Sequence, residues 1–186
     1  NAYRTIDGDD DVVVIDVVRY SDFLRFDQDA GTHLPNPLGV LWRFELNLTD
    51  GTSRERQLDD HHIELPRIDD RAAGRFHRRL YAVEQPTDTE MSGIRSFDLA
   101  TGAQDSFTIA PADQNSEPIF VPRNDDTNAI DELGWLLVCV YRAATDTTDV
   151  VILDAMDLSA EPQATIHLPR RIPAGFHGTW VPDINP

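Results

Sequence analysis

Lysine is absent from this 186-residue chain; its positive charge rests on 16 arginines, set against 33 acidic residues, 25 Asp and 8 Glu, for a formal net charge of −17. Such a surplus repels phosphate, which argues against nucleic acid and anionic membrane surfaces as partners unless a basic patch compensates. None does: the densest basic runs, Arg75-Phe-His-Arg-Arg79 and Arg170-Arg171, are short and lie among Asp and Pro. The missing lysine and the Asp excess fit either a GC-rich coding bias or adaptation to salt, and both bear on solubility rather than chemistry. A single cysteine, Cys139, excludes an intrachain disulfide and, set in the apolar run 135–141, is expected to be an inert core residue. No apolar run approaches the roughly 20 residues of a membrane-spanning helix. The opening Asn1-Ala-Tyr-Arg-Thr-Ile-Asp7 is not a signal peptide. A soluble, cytoplasmic protein without membrane association is expected, one whose sequence begins without Met.

With 40% hydrophobic and 26% charged residues the chain falls in the range of folded globular domains, and its length suits one domain with a sizeable core. Helical periodicity is scarce. Short runs rich in Val, Ile, Phe, Tyr and Trp, bounded by Asp, Gly, Thr and Pro, recur instead at 12–18, 40–48, 78–83, 94–99, 106–109, 118–121, 135–141, 150–153 and 164–168. This is the pattern of an all-β chain.

The runs repeat. Leu46-Asn-Leu-Thr-Asp-Gly51 aligns with Phe97-Asp-Leu-Ala-Thr-Gly102, as if one hairpin occurred twice, and Glu64-Leu-Pro-Arg67 and Glu117-Pro-Ile-Phe-Val-Pro-Arg123 each open a new unit, the two glutamates 53 residues apart. Four strands in a period near 50 residues is the signature of a β-propeller, whose blades bury their faces only against neighbours. A β-sandwich would also show many short strands, but the recurring Glu-plus-Pro opening favours the propeller. The expected blades are 1–58 (its first strand missing, since its clear strands begin at Val12), 64–109 and 117–168, with a closing strand over 176–181. That amounts to about three and a half blades, fewer than the four that close the smallest propellers. The chain is therefore expected to be a portion of a larger propeller, with exposed sheet edges.

Most of the histidines have structural explanations. His33 lies in the loop Gly31-Thr-His-Leu-Pro-Asn-Pro37, His77 begins a strand beside arginines, and His167 is expected to face solvent opposite Ile166 and Leu168. Asp59-Asp60-His61-His62 has metal-ligand density, but reads as the turn into the Glu64 strand; Asp7-Gly-Asp-Asp-Asp11 lacks the spaced ligands of a calcium loop and reads as a hairpin turn. His177 stands apart. It is flanked by glycines in Ala174-Gly-Phe-His-Gly-Thr-Trp180, and the repeat places it on an axial strand equivalent to those of Glu64 and Glu117. Metal-bound imidazole usually donates its second N–H to a carboxylate or carbonyl, so one His with two nearby Glu fits a ligand and its supporting carboxylates.

The phrases Asp16-Val-Val-Arg-Tyr20, Glu64-Leu-Pro-Arg-Ile-Asp69, Ser116-Glu-Pro-Ile-Phe-Val-Pro-Arg123, Gly134-Trp-Leu-Leu-Val138, Ile152-Leu-Asp-Ala155 and Gly175-Phe-His-Gly178, in that order, resemble the carotenoid cleavage oxygenases. That family includes retinoid isomerases, apocarotenoid oxygenases and lignostilbene dioxygenases. The resemblance implies a seven-bladed propeller holding Fe(2+) through four His, three of them hydrogen-bonded to Glu, and cleavage of a C=C bond by O2 into two carbonyl products. It implies that His177 is the last iron ligand, Glu117 its carboxylate partner, and Glu64 the partner of a third ligand lying just before Asn1. Arg4 departs from the family, which often has an acidic residue there. On this reading the chain is the C-terminal part of such an enzyme. Its partners are the N-terminal half of the propeller, O2 and an apolar polyene or stilbene, and alone it is inactive with iron weakly bound. The alternative is a non-catalytic β-propeller-like binding module in which His177 and the two Glu satisfy one another.

Overall fold

The two matched hairpin segments fold into the same turn. Asn47 Oδ1 accepts from the N–H groups of Thr49 and Asp50, and Asp98 Oδ1 accepts from those of Ala100 and Thr101. In each turn a glycine with a left-handed φ, 76° at Gly51 and 75° at Gly102, returns its N–H to the Asn47 or Asp98 carbonyl. A side chain with a Cβ would be strained there, so the shared Gly is a requirement of the turn. Glycine also starts the first hairpin: Gly8, φ 63°, lies in the Asp-rich turn, which is a hairpin connection as expected.

A computed structural model describes residues 1–23, 36–124, 130, 132–175 and 177–182. They form three antiparallel meanders. The first sheet runs β1 (Ala2–Asp7), β2 (Asp10–Arg19), β3 (Val40–Asn47), β4 (Ser53–Gln57). The second runs β5 (Ile63–Arg67), β6 (Arg79–Glu84), β7 (Gly93–Asp98), β8 (Gln104–Thr108), with a single 3-10 turn at Asp70–Ala72 between its first two strands. The third runs β10 (Ile119–Pro122), β11 (Gly134–Arg142), β12 (Thr147–Asp154), β13 (Ala164–His167), with the two-residue β9 (Gln114–Asn115) also on β11. Among the described residues no helix is long and apolar enough to cross a membrane.

The sheets stack face to face. Leu41 of the first packs with Ile63, Leu80, Ala82 and Phe97 of the second. On the opposite face Tyr81, Val83 and Ile94 meet Phe120, Leu136, Val138, Val140 and Leu153 of the third. Successive β6 side chains thus alternate between two interfaces, and four consecutive residues, 80–83, are buried. The Tyr81 hydroxyl crosses to the third sheet, donating to the Ala155 carbonyl at 3.2 Å. The second sheet is thus buried against a neighbour on each face, as a blade is, and the three sheets make an all-β, incomplete propeller.

Several expectations change. A strand precedes Val12: Tyr3 is buried and β1 pairs with β2 from Ala2↔Ile15 to Asp7↔Asp10, so the first sheet has its full four strands. Arg4 pairs with Asp11 across that hairpin. Of the closing strand expected over 176–181, the described residues 177–181 are not in a strand, and the Gly178 backbone bonds to the Arg67 and Glu117 side chains; residue 176 lies outside the described residues. Cys139 is half-buried, since the alternation of β11 sends Leu136, Val138 and Val140 into the core and Cys139 to the other face; burial still pushes its thiol pKa up. Ile166 is half exposed, so His167 is solvent-facing on a strand with no buried side.

Candidate metal centre

Glu117 follows β9 and precedes β10, and it is 2% exposed. Its carboxylate is fully used. Oε2 faces Nδ1 of His177 at 3.2 Å, and Oε1 accepts from the Gly178 N–H and, at 3.1 Å, from Nη1 of Arg67. The Arg67 guanidinium is the counter-charge that makes burial of this carboxylate tolerable. An ionised carboxylate only accepts, so Nδ1 of His177 carries its proton and Nε2 keeps a free lone pair. The His177 side chain is 74% exposed, which leaves that second nitrogen open. An imidazole of fixed tautomer, backed by a carboxylate, fits a divalent transition metal.

Gly178 lies close to Ile119, whose Cδ1 is 2.6 Å from where a Cβ would stand, whereas Gly175 has open space around it. Of the two flanking glycines, only Gly178 serves a close approach.

Glu64, expected on an equivalent axial strand as the partner of a further ligand, makes no hydrogen bond to Glu117 or His177 among the described residues. Its carboxylate accepts from the N–H of the adjacent Leu65, which has a left-handed φ of 50° at an irregularity in the β5–β6 pairing. Among the described residues only Glu117, not Glu64, hydrogen-bonds to His177, so the three side chains do not all satisfy one another. Arg67 is the residue that sequence reasoning missed. It belongs to the quoted Glu64-Leu-Pro-Arg67 opening, but only the fold shows it reaching the next sheet.

His61, His77 and His167 have other partners. His77 is 1% exposed, with Nδ1 accepting from the Asn1 side chain and Nε2 3.3 Å from Asp16 Oδ2; Arg43 holds the same carboxylate through two contacts of 2.7 and 2.8 Å. Burial keeps the His77 pKa below its ordinary value against the pull of Asp16. His167 Nδ1 meets Asp149, where burial raises the carboxyl pKa but hydrogen bonds from Arg142 and His167 outweigh it. Asp59, Asp60 and His61 do bring their oxygen and nitrogen atoms within 4.8 Å of one another, but Asp59 caps the turn into β5 by accepting from the His61 N–H. His33 lies outside the described residues.

Residues 1–182 match the family described as retinal pigment epithelial membrane protein. A carotenoid cleavage oxygenase of Mycobacterium tuberculosis is 34% identical over 189 residues, 98% of this chain and 36% of the relative. An apocarotenoid-15,15'-oxygenase of Synechocystis is 31% identical over 176 residues, 91% of this chain and 36% of the relative. A lignostilbene-alpha,beta-dioxygenase of Sphingomonas paucimobilis is 33% identical over 138 residues, 68% of this chain and 28% of the relative. The chain spans about a third of the length of these relatives. The structure of cobalt-substituted Synechocystis apocarotenoid oxygenase superposes with a TM-score of 0.84 at 30% identity, covering 97% of this chain and 38% of that one.

Proposed function

This chain belongs to the retinal pigment epithelial membrane protein family, and from that premise we propose that it is the C-terminal part of an Fe(2+) dioxygenase that cleaves a C=C bond of a carotenoid, apocarotenoid or stilbene. The three sheets are then successive blades of one propeller domain, completed by an N-terminal half. The observation that carries the reading is the contact between the buried Glu117 carboxylate and His177 Nδ1, which leaves Nε2 as the donor for the metal. Glu64, with only the Leu65 N–H on its carboxylate among the described residues, is available to a second ligand supplied by the rest of the protein.

Iron bound there supplies the activation of O2, and both oxygen atoms end in the two carbonyl products, so no external reductant is consumed. The residues of this chain hold and orient. Glu117 keeps the proton on Nδ1, Gly178 ties the backbone beside His177 to the same carboxylate, and the apolar interfaces between sheets keep these elements in place. With one imidazole donor, the isolated chain should bind iron weakly and turn over nothing.

The test is to assay the full-length protein with a carotenoid, an apocarotenoid and a hydroxystilbene under 18O2, following labelled aldehydes by mass spectrometry. Cleavage of at least one substrate, abolished in His177→Ala with loss of bound iron, is expected. Unchanged activity and iron content in His177→Ala would overturn the proposal.

A further inference from the structure

We propose that Arg67 is a positioning residue for His177, acting across the seam between the second and third sheets; the inference rests on reading His177 as a metal ligand. One guanidinium nitrogen, Nη1, donates both to Glu117 Oε1 at 3.1 Å and to the Gly178 carbonyl at 3.0 Å. Gly178 in turn gives its own N–H to Glu117 Oε1. Arg67, Glu117 and Gly178 therefore form a closed circuit of three hydrogen bonds, and the residue next to Gly178 is His177.

The circuit has two consequences. It occupies Oε1 with two donors, which stops the carboxylate from rotating and presents Oε2 to the imidazole. It also supplies the fixed points of a backbone that has no strand ladder: among the described residues, 177–182 pair with no sheet edge. Arg67 is itself held, by Nη2 on Asp70 and by the β5–β6 register shift between Glu64 and Arg67. Bulges of this kind re-aim a side chain. The Arg67 side chain is 18% exposed and that of Glu117 3%, so the pair acts where charge is poorly screened. A lysine keeps the charge but has no planar fork with which to serve Glu117, Gly178 and Asp70 together.

The experiment compares full-length wild type, Arg67→Met, Arg67→Lys and His177→Ala. In metal-free protein labelled with 15N-histidine, long-range proton–nitrogen spectra report the His177 tautomer, and cobalt titration reports metal affinity. Wild type should show a single tautomer with the proton on Nδ1. Arg67→Met should show a tautomer mixture and a cobalt affinity reduced about tenfold, the low end of what removing a ligand's supporting partner costs, and Arg67→Lys should fall between. An unchanged tautomer and affinity in Arg67→Met would overturn the inference. If Arg67→Met does not fold, Arg67→Lys decides in the same way, since wild-type behaviour there would show the fork to be dispensable. If instead His177→Ala leaves cobalt binding intact, the metal reading itself fails, while the tautomer measurement still judges Arg67.

Discussion

Replacing Asp16 should expose how the first two sheets are tied together. Asp16 is 2% exposed and its carboxylate is shared by the Arg43 fork and the edge of His77, which belongs to the loop entering β6. Asp16→Leu strands a guanidinium that is only 10% exposed. Breaking a buried ion pair from one side costs about 3–5 kcal/mol. With a urea dependence of about 2 kcal/mol per molar, the unfolding midpoint should fall by about 2 M. Arg43→Met should cost a similar amount by leaving the carboxylate alone with His77. The double variant should not sum these losses, because a buried pair replaced by apolar side chains is close to neutral. It should lose little at His77, whose Nε2 lies 3.3 Å from Asp16 Oδ2 and has no hydrogen-bond partner even in the wild type among the described residues. Urea unfolding followed by tryptophan fluorescence on the four proteins completes the cycle. A midpoint shift under 0.5 M for Asp16→Leu (roughly 1 kcal/mol), or a double variant as unstable as the sum of the two singles, would refute the argument.

Two further outcomes follow from groups described above. Burial holds His77 below its ordinary pKa, so the unfolded chain takes up that proton first as pH falls below about 6.5. The stability it contributes is complete above that pH and declines toward the folded-state value; the urea midpoint should drop between pH 7.5 and 5.5, and the His77 share of that slope should vanish in His77→Gln. Tyr81→Phe removes the 3.2 Å bond to Ala155 and leaves a carbonyl without its donor, at a cost of about 1 kcal/mol. That corresponds to a melting temperature about 3 °C lower by calorimetry, and an unchanged value would show that the hydroxyl is idle.

Strands that bury one or both faces were legible because burial writes itself as apolar alternation. β11 was legible instead as an unbroken apolar run, of which the structure turns Leu136, Val138 and Val140 inward and leaves Trp135, Leu137 and Cys139 partly exposed. β4 carries no such trace. Its Ser-Arg-Glu-Arg-Gln is wholly exposed at the sheet's outer edge, and only its register with β3 makes it a strand. β1 was missed for a related reason, since Tyr3 is its one buried residue. In the candidate site the Glu117–His177 pairing could be read from the repeat and the family phrases. The role of Arg67 could not, because an arginine reaching 111 residues along the chain to the Gly178 carbonyl leaves no periodicity behind. The contacts of Glu64 differ from those of Glu117 for a local reason: at the irregularity beside Leu65 its carboxylate accepts from the Leu65 N–H, whereas spacing alone assumes a regular strand.

Repeat proteins invite evolution by shuffling, since a unit that packs only on its neighbours can be duplicated, lost or exchanged whole. The circuit of Arg67, Glu117 and Gly178 resists this. One member belongs to the second sheet and the others to the third sheet and the segment after it, so a crossover in the connection at 109–113 would separate an arginine selected in one lineage from a carboxylate selected in another. The units of this fold are interchangeable as architecture but not as ancestry: those that meet at His177 must be inherited together.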